Sequence, residues 1–333
     1  GNPNLPTPAA VKDAIIQILD QVEPVELHGY MNNSGFADVR EDIARSINKK
    51  FDTAFSGENI VMTVGAAGGL NVILKTLLNP HDQIMVFAPY FGEYRSYAIN
   101  YDADFAVVPA SIPFFQPNLE QFEKMLNPKT KVVILNSPNN PTGVIYTKET
   151  IAELAQILYR KQKEFNTEIY IVSDEPYREL VYKDMEVPYI TKYYDNTVVV
   201  YSYSKSLSLA GERIGYLVIP NTISDFDMVI ASANIATRIL GYVNAPSLMQ
   251  KTVAKCLDSQ IDIGYYDRNR QALYNGLTNM GYECTYPDGA FYLWMKTPIE
   301  DDKLFVEMAK KYQILLMPGT FFFMIQPKTT QIQ

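Results

Sequence analysis

Seven short apolar runs constrain this chain more than any other feature. They lie at 59–64 (NIVMTV), 83–88 (QIMVFA), 104–109 (DFAVVP), 131–136 (KVVILN), 168–173 (EIYIVS), 197–203 (TVVVYSY) and 214–219 (IGYLVI). Each is nearly all apolar and rich in Val and Ile, the composition of strands buried on both faces. Stretches with helical spacing separate most of them, as in 147–165 (TKETIAELAQILYRKQKEF). Repeated alternation of this kind predicts an α/β fold with an open, largely parallel sheet.

With 333 residues the chain is too long for one small core and comfortable for two packed domains. Past residue 240 the pattern changes. Helical stretches at 246–257 and 261–280 lead to YECTYPDGAFYLWMK, which reads as a β-hairpin, and then to a helix over 301–312. The first 29 residues hold one helix, 8–22, and no sheet of their own. The expected division is a large domain over 30–262 and a smaller α+β domain built from 1–29 and 263–333.

Composition narrows the chemistry. Lys plus Arg number 29 against 37 Asp plus Glu, a net charge of −8, so an acidic surface argues against nucleic acid as a partner. Cys256 and Cys284 have neither CxxC spacing nor neighbouring histidines, and His28 and His81 are the two histidines of the chain. Neither a metal cluster nor a Ser-His-Asp triad is readily assembled from these. No apolar run approaches the roughly 18 residues that span a bilayer. A cytoplasmic location is expected. The chain opens at Gly1 in loop-like sequence, GNPNLPTPAA, so residues are expected to be missing before it.

Four motifs follow strand-like runs. In SYSKSLSLAGERIGY (202–216), Lys205 emerges just after a strand, at the edge where open α/β sheets bind ligands. Ser202 and Ser204 flank it and Arg213 follows, and hydroxyls with a guanidinium grip phosphate. A lysine beside a phosphate grip fits an aldehyde cofactor that carries a phosphate. In SDEPYREL (173–180), Asp174 either pairs with a protonated ring nitrogen or caps a following helix, and local sequence leaves both open. Tyr177 lies three residues on. NSPNNPTG (136–143) reads first as a turn, yet it also presents an Asn side chain at the sheet edge. VGAAGGL (64–70) joins a strand to a helix through small residues, which lets backbone N–H groups approach an anion.

Together, in this order, the S-x-S-K…G-x-R-x-G signature, the N-P-T-G turn and the D-E-x-Y segment resemble the class I/II aminotransferases. These are fold-type I pyridoxal-phosphate enzymes related to aspartate aminotransferase. The similarity runs from GNPNLPTP through PDGAFYLW to PGT at 318–320. The resemblance implies pyridoxal 5'-phosphate held as a Schiff base on Lys205, with Asp174 on the pyridine nitrogen. It implies that Asn140 and Tyr177 bond the phenolic oxygen. Ser202, Arg213 and the backbone of Gly65, Ala66 and Ala67 would hold the phosphate. Phe91 matches the aromatic that stacks on the ring, with Tyr90 as second candidate. Tyr30, in HGYMNNSGF, matches a tyrosine that reaches the phosphate of a neighbouring subunit, implying a homodimer with shared sites.

The implied reaction moves an amino group between an amino acid and a 2-oxo acid, with ping-pong kinetics. Two rivals stand beside it: β-elimination of the cystathionine or cysteine type in the same fold, and a non-catalytic PLP-binding regulator. One departure concerns the arginine expected shortly after the PGT turn to bind the substrate carboxylate. No arginine follows Arg270, and Lys328 is the one nearby cation. Either the segment bearing that arginine lies outside the chain as given, the favoured expectation, or another group serves, and Lys328 lacks the bidentate fork of an arginine.

Overall fold

The computed structural model describes residues 2–183 and 185–323. Lys328 lies outside them. Seven strands form one sheet: β1 (Ile60–Thr63), β2 (Gln83–Phe87), β3 (Asp104–Val108), β4 (Thr130–Asn136), β5 (Tyr170–Asp174), β6 (Thr197–Ser202) and β7 (Gly215–Val218). Their order is β1-β7-β6-β5-β4-β2-β3. The β2·β3, β2·β4, β4·β5 and β5·β6 pairings are parallel, while β7 is antiparallel to both β1 and β6. Reversal of β7 has a consequence for the site. Its amino-terminal end lies at the edge where the other strands have their carboxyl ends.

Helices α1 (Ala9–Gln21), α2 (Pro24–His28) and α3 (Ala37–Phe51) precede the sheet. Its strands alternate with α4 (Gly65–Leu77), α5 (Glu93–Ile99), α6 (Leu119–Met125), α7 (Lys148–Phe165) and the single turn α8 (Tyr203–Ser206). Then come α9 (Phe226–Ile239), α10 (Ser247–Ala254), α11 (Ile263–Asn279) and α12 (Asp302–Lys310). Local chemistry accounts for the ends of α7. Thr147 accepts the Thr150 N–H at its start, and Asn166 takes the left-handed conformation, φ 50°, at its close. Its Ile151, Leu154, Ala155 and Leu158 form one buried stripe.

Side chains of a strand alternate between faces, and this sorts the core. Val172, Val198 and Val200 pack with Leu70 and Ile73 of α4 and Ala233 of α9. On the opposite face, Val199 and Tyr201 join Val39 and Ile43 of α3 and Met249 of α10. Farther along that face, Val133, Leu135 and Ile171 meet Leu154 and Leu158 of α7. Each fully buried Val or Leu side chain contributes about 1.5–3 kcal/mol. Carried two residues past Ile134, Val172 and Val200, the same alternation turns Asn136, Asp174 and Ser202 toward the α4 face.

The hairpin over 282–296 closes through β8 (Cys284–Thr285) and β9 (Trp294–Met295). Beside it, Phe291 stacks on Tyr266 of α11 at 5.3 Å, and Leu5, Leu180, Tyr182 and Ile261 join the cluster. The N-terminal stretch expected in the small domain divides in two. Asn4 donates its N–H to Tyr266 Oη at 3.1 Å, whereas α1 buries Val11 and Ala14 in the cluster that holds Ile60 and Met62. The apolar stripe of α1 needs an apolar partner, and it packs on α10. No described helix is long and apolar enough to cross a membrane.

Candidate active site

At the carboxyl edge, Asn136 and Asp174 are partners in the β4–β5 register. Asp174 is buried, and its Oδ2 accepts a hydrogen bond from Tyr94 Oη at 2.5 Å. Oδ1 is buried without a hydrogen-bond partner. Burial pushes its pKa up to about 7, against the opposing hydrogen bond from Tyr94. No helix follows Asp174; residues 176–179 form a turn instead, so it caps nothing. An unmet acceptor in a buried carboxylate costs free energy until a donor reaches it.

Lys205 sits in α8, which begins directly after β6. Ser202 caps that turn by accepting the Ser204 N–H at 3.1 Å, and the two hydroxyls are 2.7 Å apart. Nζ of Lys205 lies 5.5 Å from the centre of the Phe291 ring. Burial, and then the positive charge of Arg213, lowers the pKa of this amine. Arg213 stands just before β7, so the reversed strand returns it to the same edge as Lys205. Its guanidinium donates to the carbonyls of Ala210 at 2.8 Å and Val64 at 3.4 Å. Gly65 begins α4 beneath it at φ +76°, and a Cβ there would lie 2.6 Å from Arg213 Nη2. No side chain caps the start of α4, which leaves the N–H groups of its first turn for an anion.

Asn136 ties the NPTG turn to β5. Its amide donates to the Asp174 carbonyl at 2.9 Å, and its Oδ1 accepts the Asn140 N–H at 2.7 Å. Tyr177 Oη is 2.6 Å from Tyr292 Oη; burial raises the Tyr177 pKa, and a hydrogen bond from the Asn140 side chain opposes the rise. Phe91 meets Tyr94 edge to face, with ring centres 5.5 Å apart. A cavity of about 190 Å³ gathers Ala66, Ala67, Phe91, Asn140, Asp174, Tyr177, Ser202, Lys205 and Arg213. Tyr90 does not line it and packs on Phe105 instead. Tyr30 stands apart from the cavity and is 94% exposed.

Asn136, Tyr97 and Ser204 also line this cavity, and Tyr94 stands behind it. Asn136 could have been found from the strand period, two residues past buried Ile134. Tyr94 lies one helical turn beyond Phe91, but nothing local announces its bond to a residue 80 positions away. A larger cavity of about 970 Å³ adjoins the first and shares Phe91 and Asn140 with it. Its walls are mostly apolar, from Phe291, Trp294, Phe305 and Phe322, with Glu93, Arg95 and Asp302 as its charged lining. The smaller cavity is lined by both Lys205 and Asp174, whose Oδ1 is unmatched.

Known proteins resemble the chain over nearly its whole length. The family model described as aminotransferase class I and II matches residues 1–332. An aspartate aminotransferase of Thermotoga maritima is 31% identical over 325 residues, covering 97% of this chain and 82% of that protein. An aspartate/prephenate aminotransferase of Thermus thermophilus is 28% identical over 334 residues, with coverage of 97% and 82%. The crystal structure of an amino transferase from Eubacterium rectale superposes with a TM-score of 0.95 at 44% identity, over 97% of this chain and 81% of that one.

Proposed function

The chain belongs to the class I and II aminotransferases, a pyridoxal-phosphate-dependent family, and on that premise we propose that Lys205 is the amine that carries the cofactor. Its substrates are an amino acid and a 2-oxo acid. The observation that carries the site assignment is Asp174 Oδ1, buried and unmatched in the cavity that Lys205 lines. A protonated pyridine nitrogen is the donor this oxygen lacks. The uncapped start of α4, with Ser202 and Arg213, suits the phosphate.

When bound, the cofactor supplies an electron sink for the charge released at the substrate Cα. Asp174, ionised, keeps the ring nitrogen protonated and so preserves that sink. Asn140 and Tyr177 donate toward the phenolic oxygen, and Phe91 covers the ring. Lys205 Nζ takes the proton from Cα and hands it on. Burial and then the charge of Arg213 lower its pKa from the ordinary lysine value, the direction a general base requires. One product leaves before the second substrate enters, so the kinetics are ping-pong. The exposure of Tyr30 supports a role on a second copy of the chain, in a homodimer with shared sites.

Two measurements test the assignment. Borohydride reduction of the loaded protein, followed by peptide mapping, places the pyridoxyl label on Lys205; a label on another lysine overturns it. Lys205→Ala retains part of its cofactor through the phosphate contacts and loses at least about 10²–10⁴ in kcat.

A further inference from the structure

We propose that Tyr94 is a positioning residue for Asp174: its phenol occupies one carboxylate oxygen, and so leaves Oδ1 as the acceptor that faces the ring nitrogen of the cofactor. This rests on the proposed cofactor reading of the site. Tyr94 comes from α5, whereas Asp174 ends β5. Its side chain is 1% exposed, and its Oη lies 2.5 Å from Asp174 Oδ2. The ring is packed in the core cluster on the α4 face. It meets Phe91 edge to face at 5.5 Å, and its backbone N–H is bonded to the Phe91 carbonyl at 3.1 Å.

A carboxylate has two equivalent oxygens and turns about its Cβ–Cγ bond. With neither oxygen engaged, both would compete for the ring nitrogen, and the group would lose torsional freedom on binding. Donation to Oδ2 removes that degeneracy before any ligand arrives. The phenol remains a donor throughout, because burial and the charge of Asp174 hold its pKa well above the ordinary value. Donation also favours the ionised carboxylate over its neutral form, against burial. Other titratable groups around Asp174 are Glu175 beside it in the chain, Tyr97 from α5 and Tyr177 from the adjoining turn. Lys205 and Arg213 line the same cavity.

The test compares wild type, Tyr94→Phe and a protein with 3-fluorotyrosine in place of Tyr94, a stronger donor of nearly the same shape. In the cofactor-free proteins, infrared titration follows the protonated-carboxyl band that Asp174→Asn removes. Its midpoint moves about one pH unit higher in Tyr94→Phe, and lower with 3-fluorotyrosine. Loaded with pyridoxal 5'-phosphate, Tyr94→Phe binds it about tenfold more weakly. In an Asp174→Asn background the same substitution changes affinity less than twofold, because the phenol acts through the carboxylate. An unmoved midpoint, or equal losses in both backgrounds, overturns the assignment of Tyr94. Wild-type protein that takes up no cofactor overturns the underlying reading instead, so the two failures are distinct.

Discussion

Asp174 and Glu175 are adjacent in the chain, both buried, and opposite in circumstance. Asp174 faces α4 with one oxygen unmatched. The neighbouring Glu175 is fully engaged: it accepts from Ser173 Oγ at 2.7 Å and pairs with Arg178. That guanidinium lies beside the stacked rings of Phe51 and Tyr189, 5.0 Å from each centre, and donates to the carbonyls of Val187 at 3.2 Å and Pro188 at 3.4 Å. Burial pulls the Arg178 pKa down, but the Glu175 charge and hydrogen bond win and hold it above the usual value. Burial of a charge therefore does not by itself mark a site. What sets Asp174 apart is an unmet oxygen on a residue that lines the cavity with Lys205, whereas Glu175 and Arg178 meet each other's demand.

Substitution separates the two most strongly. Glu175→Ala strands the Arg178 charge in the interior and lowers unfolding free energy by about 3–5 kcal/mol. Asp174→Ala strands no charge, only the neutral phenol of Tyr94, whose hydrogen bond it removes. It lowers kcat by about 10²–10³ through loss of electrostatic stabilisation, and lowers the stability of the cofactor-free protein by no more than about 1–3 kcal/mol, the cost of one unsatisfied buried donor. Denaturant titrations paired with single-turnover rates check both halves, and a thermally crippled Asp174→Ala protein would break the contrast.

The pH dependence sharpens it. A buried carboxyl at about 7, against an ordinary 3.8, binds its proton more tightly folded than unfolded. Its contribution is therefore fully present below pH 3.8 and is lost as pH rises through 7. Cofactor-free wild type should lose up to about 4 kcal/mol across that window relative to Asp174→Asn. Parallel stability curves for the two proteins from about pH 4 to about pH 8 would mean that Asp174 stays ionised throughout.

The smallest effect belongs to Tyr30. Tyr30→Phe weakens cofactor retention by about 0.5–1.5 kcal/mol if its hydroxyl completes the partner's phosphate site. A hybrid of a Tyr30→Phe chain with a Lys205→Ala chain carries both defects in one site and neither in the other. About half the normal activity should return, and a hybrid without recovery counts against shared sites.

Much of this was legible in the sequence, because it depends on local pattern. Strand runs, the helices between them and the motifs at the strand ends follow from hydrophobic period and turn chemistry. Those rules carry Lys205, Asp174 and Asn140 to one edge, since parallel strands bring their carboxyl ends together. The ambiguity at Asp174, cap or ligand group, was not resolvable locally, because it turns on neighbours in space rather than in sequence. Tertiary structure alone decided that no helix starts there and that Tyr94 occupies one oxygen from 80 residues away. It also decided that β7 runs backwards and so delivers Arg213 to the edge of Lys205. The stacked pair of Phe51 and Tyr189 beside Arg178 was likewise invisible in the sequence. Such partners are set by strand register and helix packing, which join distant segments, whereas the periodicities that can be read along a chain report only how each segment divides its own faces.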